Sequence, residues 1–309
     1  MKIAILILAH KNFKQLIKLI DRLQHPCIDI YIHLDLKWKL NREEIIQLRK
    51  KSFLIDDRIS CSLDDSSLVE VEEMLLREAY RNKYDYYCLI SAQDYPIVST
   101  DFLVQNLQKN YPNSYIDITP SSFGNWVWFK YTASQWFKQK NNMLNIKKNK
   151  LTKLNKLIYL FYDILCVQNC RTLNRKLKKM NIKTYGGSQW WILSDKEVEK
   201  ILQYINNNPS TCSEIKKSFT PDETFFQTVL MQTEAARNVK VNKVNATDRN
   251  CATYIDFGGY DKPVVAHPYV LTINDVDKIQ IARKNNYLFA RKFDETIDND
   301  IFEWIDRDC

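Results

Sequence analysis

Two unbroken apolar runs, Lys2 to Ala9 and Ile28 to Leu34, frame a stretch in which Phe13, Leu16, Ile17 and Ile20 recur at helical spacing after Asn12. Strands that are apolar on both faces belong inside a parallel sheet, so the first 36 residues read as a βαβ unit with Asn12 capping the helix. Ser67 with Glu70 forms a capping-box pattern ahead of Leu68, Val71, Leu75 and Ala79, and Tyr86 to Ile90 is the next strand. Further strands are expected near Ser114 to Ile118 and Gln189 to Leu193. A second box pattern, Ser194 with Glu197, opens a helix that runs through Ile205 and stops in the Asn-rich stretch before Pro209. Strands alternating with helices predict an α/β fold, a mixed, mostly parallel sheet covered by helices.

At 309 residues and 45% apolar the chain has ample material for a buried core. It shows no internal repeat and no linker of disordered composition, so residues 1–309 are expected to form a single domain. Its five glycines, Gly124, Gly186, Gly187, Gly258 and Gly259, exclude both a P-loop and a G-x-G-x-x-G turn. The longest apolar runs are far short of the roughly 20 residues that span a bilayer, and the Met-Lys start lacks a signal-peptide cleavage site; a cytoplasmic location is the expectation. Eight cysteines are scattered without a C-x-x-C pair, consistent with reduced thiols, and Cys166 and Cys170 have no nearby histidine with which to build a zinc site.

Charge is concentrated. Residues 138–183 hold thirteen Lys or Arg and one acid, Asp163, which leaves the rest of the chain net negative although the total is +8. Within this basic helical insertion Leu151, Leu154, Leu157, Ile158, Phe161, Ile164 and Leu165 form an apolar stripe. The stripe fits a core helix with a solvated basic face, or a helix docked on an anionic membrane surface. Nucleic-acid binding is ranked below both, because the remainder of the chain is acidic.

Polar clusters at strand ends are where open α/β sheets bind ligands. His33-Leu34-Asp35 follows the second strand; Asp35 can accept hydrogen bonds from a ribose or base, or from local backbone N–H groups. Gln93 and Asp94, in Ser91-Ala92-Gln93-Asp94-Tyr95-Pro96, can orient a sugar or simply make a rigid turn. In Gly186-Gly187-Ser188-Gln189-Trp190-Trp191 the glycines permit close backbone approach, an indole face suits a pyranose, and strand alternation sends the two tryptophans opposite ways. Thr220-Pro221-Asp222-Glu223 reads as a helix start in which Glu223 serves as capping partner or as general base. Arg291 and Lys292, in Leu288-Phe289-Ala290-Arg291-Lys292-Phe293, can neutralise a diphosphate, and are expected at a helix start.

In this order the motifs H-L-D at 33–35, S-A-Q-D-Y-P-I at 91–97, G-S-Q-W-W at 187–191, P-D-E at 221–223 and L-F-A-R-K-F at 288–293 resemble the core-2/I-branching β-1,6-N-acetylglucosaminyltransferase family. The resemblance spans nearly the whole chain. It implies a GT-A type nucleotide-sugar fold and an inverting, metal-independent transfer of a sugar, GlcNAc by first expectation, from a UDP-sugar to a glycan or glycolipid hydroxyl in bacterial surface-polysaccharide or lipid-linked glycan synthesis. Carried over, Glu223 is the catalytic base. His33, Asp35, Gln93, Asp94, Arg291 and Lys292 serve the donor, and Ser188, Gln189, Trp190 and Asp222 the acceptor side. No cofactor or divalent metal is implied, and the basic insertion would place the enzyme peripherally on the inner membrane face. The family arginine before Tyr-Ile-Asp is replaced by Thr253, leaving Arg249 or Arg291 to stand in. Asp-x-Asp spacing occurs only at Asp275/Asp277, Asp298/Asp300 and Asp306/Asp308. A non-catalytic carbohydrate-binding module and a glycoside hydrolase are the competing classes. UDP binding separates the first, and a second carboxylate opposite Glu223 is required by the other.

Overall fold

A computed structural model describes residues 1–62, 65–120, 175–218, 220–242, 250–259, 262–265 and 267–308. The aromatic stretch from Phe123 to Trp136, the amphipathic stripe and Arg249 lie outside the described residues, as does the basic insertion up to residue 174.

The expected βαβ unit is present: strand β1 (Ile3–Ala9), helix α1 (Phe13–Arg22) and strand β2 (Ile28–Leu34), the strands parallel with Ile3 opposite Ile28. Helix α2 (Arg42–Arg49) leads to the short edge strand β3 (Phe53–Leu54), and α3 (Ser67–Tyr80) to β4 (Tyr86–Ser91). After β5 (Asp94–Pro96), α4 (Thr100–Asn110), β6 (Thr119–Pro120) and β7 (Tyr185–Gly186), strand β8 (Ile192–Ser194) joins the main sheet. Its order is β3-β2-β1-β4-β8, with only β8 antiparallel to its neighbour. The chain continues through α5 (Asp195–Asn207), α6 (Pro209–Ile215), α7 (Phe225–Leu230), β9 (Thr253–Ile255), α8 (Val276–Lys284), β10 (Phe289–Arg291) and α9 (Asp300–Asp308).

Period-two alternation divides β1 between two cores. Ile3, Ile5 and Ile7 meet Leu16, Leu19 and Ile20 of α1, Leu103 and Leu107 of α4 and Phe302 of α9. Ala4, Leu6 and Leu8 face Leu75 and Leu76 of α3, Ile201 of α5 and Phe225 and Phe226 of α7. Each completely buried Leu or Ile contributes roughly 1.5–3 kcal/mol, so the sheet is fixed from both sides before any polar contact is counted.

Local expectations fail where a tertiary partner outcompetes a cap. Asn12 takes a left-handed conformation and makes no side-chain cap; its amide donates instead to Asp294 at 2.8 Å. Helix α3 starts one residue early, with the Ser66 hydroxyl on Glu70 and no capping box. Ser194 precedes α5 as expected, but its hydroxyl donates to the Glu197 side chain rather than closing a box. The expected strand from Ser114 to Ile118 is reduced to a bridge between Tyr115 and Ile192, followed by the two-residue β6.

A second, smaller sheet, β5-β10-β9, positions the site. Strand β10 runs antiparallel to β5, with Arg291 opposite Asp94, and parallel to β9. It delivers a segment from far along the chain to the carboxyl end of β4. Of the basic insertion, Lys176 is described: it pairs with Glu214 at 2.7 Å, while the neighbouring Leu177 is buried.

Candidate functional site

The carboxyl ends of β1, β2 and β4 and the end of β10 collect the polar residues. After β2, Asp35 is 5% exposed and accepts the backbone N–H groups of Lys37 at 2.7 Å and Cys61 at 3.2 Å. The local-backbone alternative for this carboxylate is therefore realised, and the Lys37 ammonium lies 3.7 Å from Oδ2. His33 is 1% exposed and its Nε2 accepts the Ile59 N–H at 2.9 Å. Burial pushes its imidazole down to about 4, so it is a neutral acceptor. His33 is an internal strut for the 59–61 segment against which Asp35 is fixed.

Asp94 is enclosed as well. Its side chain is 0% exposed and accepts the Ser91 N–H at 2.8 Å, the Ser91 hydroxyl at 3.1 Å and Nη1 of Arg291 at 2.7 Å. Burial pushes this carboxyl up, and the Arg291 guanidinium pulls it back. Gln93 is likewise turned inward: its carbonyl accepts the Phe293 N–H at 2.8 Å, and its amide reaches the Phe293 carbonyl at 3.5 Å. Asp94 thus holds Arg291, and Gln93 holds the chain at Phe293, just after the basic pair.

Arg291 ends a strand, and the chain stays non-helical until Asp300, so the expected helix start at the basic pair is absent. The guanidinium lies over the ring of Trp190, 4.5 Å from its centre. Lys292 is half-buried; burial, then Arg291 and Lys11, lower its ammonium pKa, as they must where cations crowd. Lys11 pairs with Asp294 at 2.6 Å, and against the upward push of burial its bond and those of Thr296 bring that carboxyl down to about 2. His10, directly after β1, is exposed among Lys11, Arg291, Asp35 and Lys37; desolvation, then Lys11 and Arg291, lower its imidazole pKa. Sequence reasoning missed His10 and Lys11; their position at the end of a buried strand was the available signal.

The Gly-Gly loop joins this basic group to the acidic turn. The Gly187 N–H donates to the Glu223 carbonyl at 2.9 Å, and a Cβ on Gly187 would lie 1.8 Å from the Asp117 carbonyl oxygen, so only glycine fits. The Ser188 N–H reaches the Asp117 carboxylate at 3.2 Å, and the Ser188 carbonyl accepts the Gln227 amide at 2.7 Å. The amide of Gln189 donates to Glu72 at 2.6 Å. Trp190 lies beneath Arg291, whereas Trp191, 1% exposed, packs on Phe226 with 5.3 Å between ring centres. The two indoles have different partners, although both lie just ahead of β8 and belong to one apolar cluster.

Pro221–Glu223 is a 3-10 turn ahead of α7, and Thr220 makes no side-chain cap. The capping alternative for the motif is thus not formed. Glu223 is half-buried. Asp222, assigned by sequence to the acceptor, is 6% exposed; burial raises its carboxyl to about 6 although the N–H groups of Asp222 and Glu223 bond to it. Its charge acts on the buried carboxyl of Glu72. Among the described residues no group of three or more His, Cys, Asp or Glu side chains could hold a metal ion. The Asp-x-Asp sites are engaged elsewhere: Asp275 with Lys262 at 2.9 Å, Asp298 with the Ile301 N–H at 3.0 Å, Asp306 with the Tyr95 hydroxyl at 2.9 Å and Asp308 with Arg283.

Comparison with known proteins places the chain in a family. The sequence pattern of the Core-2/I-Branching enzyme family matches residues 3–280, and the chain belongs to that family. Xylosyltransferase 2 of Canis lupus familiaris is 23% identical over 99% of this chain and 33% of its own length. Beta-glucuronosyltransferase GlcAT14A of Arabidopsis thaliana is 28% identical over 71% of this chain and 41% of its own. The chain thus spans about a third of the length of the xylosyltransferases it matches. Among solved structures, S. aureus TarS 1–349 in complex with UDP-GlcNAc covers 42% of this chain and 38% of that one, at 12% identity and a TM-score of 0.29.

Proposed function

We propose that this member of the Core-2/I-Branching enzyme family is a GT-A type, inverting glycosyltransferase that moves a sugar from a UDP-sugar to a glycan hydroxyl without a divalent metal. The observation that carries the reading is the loop Gly187–Trp190: its first residue bonds the backbone of Glu223 and its last lies beneath Arg291. One short segment therefore links the backbone of Glu223 to a cation that sequence places 68 residues away.

In this mechanism Glu223 takes the proton of the acceptor hydroxyl as that oxygen attacks the anomeric carbon from the face opposite UDP. The C–O bond to the diphosphate breaks, and the charge growing on the departing UDP meets Arg291 and Lys292, with His10 and Lys11 beside them. Asp35 is available to the nucleoside. The engagement of every Asp-x-Asp pair in other contacts supports a cationic clamp in place of a metal. Two relatives are named for different sugars, xylose and glucuronic acid, so GlcNAc is the first of three donors to test. The basic insertion is proposed to hold the enzyme on an anionic membrane surface, and flotation with anionic rather than neutral liposomes checks it. Among the described residues no helix is long and apolar enough to cross a membrane. A hydrolase reading, which needs a second carboxylate opposite Glu223, is disfavoured for Asp94, because that group is buried on Arg291.

The test is a panel of UDP-GlcNAc, UDP-xylose and UDP-glucuronic acid, scored first by thermal protection and then by transfer to glycan acceptors. Glu223→Gln is expected to lower transfer by at least about 100-fold while UDP still binds. Wild-type transfer by that variant removes the base assignment, and failure of any UDP-sugar to bind removes the enzyme class.

A further inference from the structure

Glu72 has no part in the chemistry above, yet it is among the most enclosed ionisable groups of the fold. It lies in the second turn of α3 and is 0% exposed. Oε1 accepts the Gln189 amide at 2.6 Å, and Oε2 has no hydrogen-bond partner. The ionisable group acting on it is Asp222, from the turn that carries Glu223, and Glu72 in turn helps to raise the thiol of Cys61, from the segment on which Asp35 is fixed. The adjacent Glu73 points elsewhere, to Arg77 and Lys216. No cation acts on Glu72 among the described residues.

We propose that Glu72 is a positioning residue for Glu223, bracing the Pro221–Glu223 turn against α3 through Gln189 on one side and Asp222 on the other. The brace works only while Glu72 keeps its proton. A carboxylate with one bare oxygen and no cation is strongly disfavoured at zero exposure, and a second anion at Asp222 disfavours it further. Burial, then Asp222, accordingly raise the Glu72 carboxyl well above its usual range, against the Gln189 bond. Once Glu72 ionises it repels Asp222, and the neighbouring Glu223 loses its fixed place. The neutral acid therefore gives the site an alkaline limit.

This inference rests on the glycosyltransferase reading for its consequence, but not for its first measurement. A group whose folded pKa is raised contributes stability that is complete below its unfolded pKa and lost as pH rises through the folded value. Glu72→Gln cannot lose that proton, so its melting temperature relative to wild type should climb as pH is raised from the ordinary carboxylate range toward alkaline values. A difference that stays constant across that range overturns the proposal whatever the enzyme transfers. The second measurement compares Glu72→Gln with Glu72→Leu. Leu is expected to lower kcat on the order of 10- to 100-fold with UDP affinity unchanged, while Gln restores turnover and extends it to higher pH. Equal loss in both variants, or wild-type turnover and an unaltered pH profile in both, also overturns it. Should the Leu variant fail to fold, the Gln variant's melting and pH profiles decide alone. Transfer by Glu223→Gln at the wild-type rate would instead indict the catalytic reading and leave the melting result standing.

Discussion

Arg291 touches Trp190 and Asp94 at once: its guanidinium lies 4.5 Å from the centre of the indole while Nη1 pairs with the carboxylate at 2.7 Å. One face is thus given to an aromatic ring and one edge to a buried acid, so the direction in which the charge is presented is fixed before any ligand arrives.

Because Asp94 is fully enclosed, Arg291→Ala strands a buried anion and is expected to cost about 3–5 kcal/mol of folding stability together with most UDP affinity. Lys292→Ala should weaken UDP binding with little change in stability, since its ammonium crowds other cations. Urea unfolding paired with calorimetric titration of UDP checks both. Equal stability loss in the two variants would contradict the division of labour.

Gly187→Ala forces a methyl group to within 1.8 Å of the Asp117 carbonyl oxygen. The loop must move, and with it the N–H that holds the Glu223 carbonyl and the ring beneath Arg291. Transfer should fall by about 100-fold or more. Assays of the purified variant, with circular dichroism to confirm its fold, make the comparison.

His33 predicts an acid-side loss of stability. Its imidazole is held near 4, below the ordinary 6.5, so the unfolded chain binds the extra proton first. The stabilisation is complete above about pH 6.5 and is lost as pH falls through 4, a change on the order of 2–3 kcal/mol. His33→Gln keeps an acceptor for the Ile59 N–H and should flatten the melting profile across that window.

Prolonged treatment with EDTA is expected to leave transfer unchanged, and added manganese not to raise it. Manganese-dependent turnover of a chelated sample would overturn the cationic-clamp reading of Arg291 and Lys292.

How much of this was legible in the sequence depends on the range of the determining interaction. The strands Ile3–Ala9 and Ile28–Leu34 announce themselves because burial on both faces leaves a continuous apolar run. The Gly-Gly-Ser-Gln-Trp-Trp and Pro-Asp-Glu segments stood out by composition, and the structure joins them by one hydrogen bond that no local pattern encodes. Asp94 and His33 read equally well as ligand contacts, since only the arrival of β10 and of the 59–61 segment turns them into supports. Glu72 was invisible: flanked by Glu70 and Glu73 on an amphipathic helix, it looks like one more solvated acid. Asn12 shows the same limit, a cap by residue type drawn away by an aspartate met only in the folded chain.

The pairing of β5 with β10 closes a loop in which Arg291 and Asp94 are 197 residues apart along the chain. Contacts so distant must await ordering of what lies between, which places them late in folding and makes them slow to form. A partly folded chain can therefore own its central sheet and the apolar layer under α3, α5 and α7 and still be unable to capture a nucleotide. Donor affinity then serves as a reporter of completed maturation, so in a refolding experiment UDP binding should trail the recovery of far-ultraviolet ellipticity.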